Sequence, residues 1–453
     1  MKTPHPLLRL ALTALVLMPA LLAPLAAPAQ TIKHVVLISI DGLRPEFYKD
    51  SRWPTPQLQR LARLGAAADG VVGVFPTSTY PSHTSLITGV NPGRHGIVYN
   101  TAFEPANKDA HWFVKASDIR APTLWDAVRA AGLSSAAVSW PVSAGAPIDF
   151  NLPEIWLDEN PTDRTQALRV YAQPPGLFEE VQRNATGQLR ARDFDYRLPL
   201  MDSNTSRILA YLIRSRRPSL AAIHLVSADA AQHAEGLDSE RVRQAVAAVD
   251  SAVGTILDAV SEAGLDQQTA VVVVGDHGFS AVHLAVAPNR WLAEAGLRSE
   301  GPDWQARFHV SGGSAFLHLR QDKDGSTLRS ITARLQALPA AQRRLFRLIE
   351  REELLRSGAD PQAALALSGS PGVFFVADTQ GELLRKASGG NHGYSPEVAA
   401  LRTGFVAFGP GISGTITQMD LVDVAPTIAR LLGISLPSAE GKALPLLPTV
   451  QAP

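Results

Sequence analysis

Six acidic and imidazole side chains and a cluster of hydroxyls stand at positions suited to metal-assisted chemistry on an anion. Asp41 lies in Ile40-Asp41-Gly42, and Asp229 and His233 are spaced Asp-x3-His. Asp276 and His277 are adjacent between Gly275 and Gly278, and His392 sits in Gly389-Gly390-Asn391-His392-Gly393. Asp229, His233 and His392 make an oxygen–nitrogen–nitrogen set that leaves room for an exchangeable ligand, the open coordination of a catalytic zinc. Asp41, Asp276 and His277, completed by the Thr79 hydroxyl, make a second set. Carboxylate and imidazole without thiolate suit zinc, with manganese and iron as alternatives. Two such ions about 4 Å apart would clamp the attacking and leaving oxygens of an in-line phosphoryl displacement.

The hydroxyls belong to Phe75-Pro76-Thr77-Ser78-Thr79-Tyr80-Pro81-Ser82-His83, which runs on through His95-Gly96-Ile97 to Asn100. A hydroxyl between a strand and a helix N-terminus sits where backbone N–H groups converge on anions. On chemistry alone Thr77, Ser78 and Thr79 are equal candidates. Each residue taken singly also has a plain structural reading, a capped turn or a surface imidazole. Their joint placement argues for function.

That placement comes from the elements around them. The almost continuous apolar run 35–40 reads as a strand buried on both faces, as in a parallel sheet. Further strands are expected at 70–74, 135–140, 220–226, 269–274 and 404–408. Helices are expected at 58–67, 123–131, 203–214, 239–264 and 422–432. The alternation predicts an α/β fold with a doubly wound, mostly parallel sheet and helices on both faces. Ligands bind beyond the carboxyl ends of such strands. Asp41, Thr79, Asp229 with His233, and Asp276 with His277 all follow strands. Residues 141–200 show no strong period. A smaller α+β insertion is expected at about 285–390, with strands at 314–319 and 372–377 and a charged helix at 342–355.

The chain has 453 residues, 42 Lys and Arg against 42 Asp and Glu, which argues against general nucleic-acid or membrane-surface binding. Lys2 and Arg9 precede an apolar run that ends at Ala27-Pro28-Ala29, the layout of a secretory signal peptide over residues 1–29. Export to a bacterial periplasm or medium, with no membrane attachment after cleavage, is therefore expected of a catalytic domain at 30–453. There is no cysteine, so no disulfide stabilises the exported chain.

Six motifs in order resemble the type I phosphodiesterase/nucleotide pyrophosphatase branch of the alkaline phosphatase superfamily. They are Ile40-Asp41-Gly42, Pro76 to His83, Pro92-Gly93-Arg94-His95-Gly96-Ile97, Asp229-x3-His233, Gly275-Asp276-His277-Gly278 and Asn391-His392-Gly393-Tyr394. The resemblance implies an alkaline-phosphatase-like fold and a two-zinc enzyme with a covalent phosphothreonine intermediate. It selects Thr79 as nucleophile, because the family's reactive Thr precedes an aromatic residue and Pro, here Tyr80-Pro81. It makes Asn100 a donor to a non-bridging phosphoryl oxygen. His83 and His95 read as structural within the motifs, and His34, His111, His224, His283, His309 and His318 as ordinary packed or surface residues. Gln232 stands where the family often has Gly, and Trp140-Pro141-Val142 departs from Trp-Pro-Gly.

The implied substrates are small phosphodiesters or nucleotides. Tyr80 offers an aromatic face for a flat group. No motif-linked Lys or Arg is evident for the extra charge of a monoester. Phosphonate hydrolysis, phosphomonoester hydrolysis and phosphoryl transfer to a non-water acceptor are the enzymatic alternatives; a metal-bound binding protein with a silent site is the non-enzymatic one. The sulfatase branch is disfavoured, because Thr79 lacks its Cys/Ser-x-Pro-x-Arg setting.

Overall fold

The computed structural model describes residues 32–104, 111–155, 164–321 and 325–447. The expected signal peptide lies outside them. Among the described residues no helix is long and apolar enough to cross a membrane.

The centre is an eight-stranded sheet. In chain order its first six strands are β1 (His34–Ile40), β2 (Ala66–Ala68), β3 (Ser135–Val138), β4 (Phe150–Leu152), β5 (Leu220–Leu225) and β6 (Thr269–Gly275). Across the sheet the order is Gly414–Ile416, β2, Phe405–Phe408, β6, β1, β5, β3, β4. Only Phe405–Phe408 runs antiparallel to its neighbours; every other pairing is parallel.

Successive side chains on a strand face opposite ways, and both faces here are covered. Val36, Ile38 and Ile40 enter a core with Ile223, Leu225, Val271 and Val273. Helices Pro199–Arg216 and Glu240–Glu262 close that side with Ile208, Leu212, Val246, Val253 and Ile256. Val35 and Leu37 enter the opposite core with Leu220, Ala222, Val272 and Val274. Leu86, Trp125 and Ile428 close it from helices Thr79–Thr88, Leu124–Ala130 and Val424–Leu432. The sheet is therefore doubly wound.

Three local expectations need correction. The helix expected to reach residue 67 stops at Leu64, because the chain must pass Ala407 closely enough to pair β2 with Phe405–Phe408. A Cβ on Gly65 would sit 2.1 Å from the Ala407 carbonyl oxygen, so glycine is required there. The strand expected at 70–74 contributes only isolated bridges, Val71 to Thr403 and Val72 to Asp420, so Thr79 follows a loop rather than a strand. The charged helix expected at 342–355 is interrupted by strand Phe346–Glu350 between short helices Ala340–Arg343 and Arg351–Arg356. There Phe346 and Leu348 pack into one core and Ile349 into another, a two-residue alternation that charge content obscured.

That strand edges a four-stranded antiparallel sheet, ordered Phe346–Glu350, Leu365–Gly369, Ser314–Leu319, Ala306–Ser311. Helix Ser326–Ala337 packs against it through Ile331 and Leu335.

Candidate active site

The carboxyl ends of β1, β5 and β6 meet at one edge of the sheet. Asp41 follows β1, and its backbone N–H donates to Leu225 O of β5 at 2.9 Å. The chain then turns at Gly42, φ +68°, and its N–H donates to Asp276 Oδ1 at 3.0 Å. The same oxygen accepts the His277 N–H at 2.9 Å. Asp276 is thereby aimed by backbone, with Oδ2 left over.

Asp229 lies in the first turn of helix Ser227–Glu235 and His233 one turn later, their Oδ1 and Nε2 3.4 Å apart. The helix start is held from outside. Asp202 accepts the Val226 and Ser227 N–H groups at 2.8 and 3.0 Å and the Ser227 hydroxyl at 2.5 Å. His392 arrives on the loop after the inserted sheet and stacks on His277 with ring centres 3.6 Å apart.

Two groups of potential ligands result, Asp229–His233–His392 and Asp41–Asp276–His277, each with its ligand atoms within 4.8 Å of one another. Their hydrogen bonds fit a divalent cation in each. The Nδ1 atoms of His233, His277 and His392 face the carbonyl oxygens of Gly390, Gly278 and Thr77 at 3.0, 3.2 and 3.0 Å. A carbonyl accepts only a proton, so Nε2 of each neutral ring carries the lone pair. Those lone pairs face carboxylate oxygens at 3.3 to 3.8 Å. Asp41 Oδ1, Asp229 Oδ1 and Asp276 Oδ2 are buried without a hydrogen-bond partner among the described residues. Lone pair against carboxylate is repulsive until a cation lies between them.

The titration behaviour differs between the two groups. Burial, then the charges of Asp229 and Asp276, push the Asp41 carboxyl well above its ordinary range. Burial alone would raise Asp229 as well, but His233 and His392 hold it below. Burial lowers His277 to about 4 against the pull of Asp229. Burial also takes His392 well below its ordinary value, with His277 pressing the same way.

Thr79 opens the ten-residue helix Thr79–Thr88, with Ser78 extended at the N-cap position. Its Oγ1 lies 3.4 Å from His277 Nε2, beside the Asp41 group. Thr77 and Ser78 are directed elsewhere, to Tyr394 O at 3.0 Å and Ser311 Oγ at 2.8 Å. Asn100 accepts the Tyr80 N–H through Oδ1 at 2.9 Å. Asp41, Thr79, Asn100, Asp229, His233 and His392 line one cavity of about 310 Å³, together with Tyr80, Trp112, Glu154, Arg164, Tyr196 and His224.

Tyr80 departs from the stacking role expected of it. Its ring is 1% exposed, meets the edge of Trp112 at 5.1 Å, and sends its hydroxyl to Glu154 Oε1 at 3.0 Å. Trp112 and the 42%-exposed Tyr196 also line the cavity. His83 and His95 are fully buried; His83 donates to Thr79 O, and His95 bonds Ser85 Oγ and the Ile97 N–H.

Sequence reasoning missed His224, Glu154, Arg164 and Asp202. His224 is packed, as expected, but between Asp41 Oδ2 at 3.1 Å and Glu154 Oε2 at 3.0 Å. Burial would lower its pKa, yet the two carboxylates raise it well above the ordinary value. An imidazole inside an otherwise apolar strand that ends at the site was the available signal. Glu154 and Arg164 lie in the stretch without periodicity and carried none.

A family model, type I phosphodiesterase/nucleotide pyrophosphatase, matches residues 35–395. Human ectonucleotide pyrophosphatase/phosphodiesterase family member 1 is 25% identical over 402 residues, which cover 83% of this chain and 37% of that protein. Venom phosphodiesterase 2 of Crotalus adamanteus is 20% identical over 416 residues, covering 88% of this chain and 45% of that one. The chain thus spans less than half the length of these relatives. Among solved structures, murine ectonucleotide pyrophosphatase/phosphodiesterase 5, as an inactive variant in complex with AMP, superposes with a TM-score of 0.66 at 20% identity. That match covers 90% of this chain and 97% of the murine one, a likeness of fold.

Proposed function

The chain belongs to the type I phosphodiesterase/nucleotide pyrophosphatase family, and from that premise we propose that it hydrolyses phosphodiester or pyrophosphate bonds of small molecules through a phosphothreonine on Thr79, at a site for two zinc ions. One observation carries the reading: two carboxylate–imidazole groups with unpartnered oxygens flank a helix N-terminus at which Thr79 Oγ1 stands 3.4 Å from His277 Nε2.

Asp229, His233 and His392 would hold one ion, and Asp41, Asp276 and His277 the other. Bound there, divalent cations supply positive charge for the attacking and leaving oxygens. Thr79 Oγ loses its proton to solvent and attacks phosphorus, the bond to the leaving oxygen breaks, and that oxygen departs as an anion or takes a proton from solvent. Water then attacks the same phosphorus, the Oγ–P bond breaks, and Thr79 regains its proton. Asn100 serves both halves. With Oδ1 engaged by the Tyr80 N–H, its amide nitrogen remains as the donor for a non-bridging oxygen, beside the N–H groups of the first helical turn. Trp112 and Tyr196 supply aromatic surface for a base or aryl group. The charged and then apolar layout of residues 1–29 supports reading this as the chemistry of an exported protein.

A second reading, phosphomonoester hydrolysis, draws on Arg164, a buried guanidinium in the cavity wall that would match the additional charge. Initial rates of the zinc-loaded protein on a bis-aryl phosphate, a nucleotide-monophosphate aryl ester, an aryl monophosphate and an aryl phosphonate separate the readings. Faster turnover of the diesters is expected; preference for the monoester overturns the proposal.

A further inference from the structure

Behind Asp41 a chain of hydrogen bonds crosses the carboxyl edge of the sheet. Asp41 Oδ2 accepts from His224 Nε2 at 3.1 Å, and His224 Nδ1 donates to Glu154 Oε2 at 3.0 Å. Glu154 Oε1 accepts the Tyr80 hydroxyl at 3.0 Å. Tyr80 follows Thr79 directly, and its N–H is held by Asn100. The chain links β1, β5 and the segment after β4 to the first turn of helix Thr79–Thr88. Both ring nitrogens of His224 lie within hydrogen-bond distance of carboxyl oxygens. His224, Glu154 and Asp41 are no more than 5% exposed.

Stability does not call for this arrangement, since buried ion pairs exchanged for apolar groups of like volume are often neutral or stabilising. Its effect on Asp41 is specific. His224 engages Oδ2, while Oδ1 stays buried, unpartnered among the described residues and 3.4 Å from His277 Nε2.

We propose that His224 and Glu154 are a positioning pair that makes Asp41 a one-oxygen metal ligand and, through Tyr80, fixes Thr79 against the same ion. The inference rests on the metal-site reading of Asp41. It adds a role for two residues of the cavity wall that act through Asp41 and Tyr80. Hydrogen-bonded partners of ligating groups typically matter 10- to 100-fold in metal affinity.

The test measures zinc stoichiometry and affinity by competition with a chromophoric chelator, together with the visible spectrum of the cobalt-substituted protein, for wild type, His224→Ala and Glu154→Gln. In His224→Ala the affinity for one ion is expected to fall 10- to 100-fold, with the other within twofold and an altered cobalt spectrum. Glu154→Gln preserves volume and leaves the His224–Asp41 bond, so a loss of two- to tenfold at the same ion is expected. It carries the test if His224→Ala does not fold. Wild-type affinities and spectrum in a folded variant, with only a lowered melting temperature, overturn the inference and leave the function standing. A wild-type chain that takes up no zinc overturns the metal-site reading first and this inference with it.

Discussion

The side chain of Asn100 accepts the backbone N–H of Tyr80 at 2.9 Å, which ties the orientation of one amide to the helix that begins with Thr79. The acceptor end is used inside the protein, so the donor end remains for a ligand. Tyr99 braces the same loop from the other side, donating its hydroxyl to Asp360 Oδ2 at 2.8 Å in the inserted region.

Asn100→Asp keeps the acceptor and removes the donor. Loss of one preorganised oxyanion donor typically costs about 10²- to 10³-fold in kcat. A fall of that order is expected in steady-state kinetics, with zinc content unchanged; kcat within threefold of wild type would remove Asn100 from the chemistry.

Chelation should abolish activity and lower the melting temperature together, because Asp41, Asp229 and Asp276 then keep buried oxygens with no hydrogen-bond partner among the described residues. Returning zinc should raise the melting temperature with concentration, as a ligand of the folded state does. Calorimetry across a zinc titration checks this. Asp229→Asn should halve the zinc retained.

Acid stability has a separate source in His95, which burial pushes down to about 3. A histidine neutral in the fold and protonated when unfolded lets the unfolded state bind more protons. Its contribution is whole above the ordinary histidine pKa and is lost as pH falls from about 6.5 toward 3, at about 1.4 kcal/mol per pH unit. Urea unfolding of metal-free wild type and His95→Gln at pH 6, 5 and 4 should show a shallower slope in the variant by about that amount. Equal slopes would contradict it.

What could be read in advance follows from what each signal depends on. The run 35–40 is buried on both faces, so it is apolar but for Ser39 and marked the sheet directly; Asp41 and Asp276 could then be placed at strand ends. The region 342–355 failed because its charges hid a two-residue alternation settled only by the inserted cores. Glu154 and Arg164 come from the stretch without periodicity and reach the cavity through tertiary packing alone. Tyr80 was visible by type, but the covering of its ring by Trp112 was not.

The central claim is that Thr79 is the nucleophile at a cation site made by other residues. Thr79→Ala, with zinc content and diester turnover measured on the same preparation, tests it most directly. The account predicts close to two zinc ions per chain, as in wild type, and kcat lower by at least about 10³-fold, an order set by the loss of covalent catalysis. Turnover within tenfold of wild type at full zinc content would contradict it.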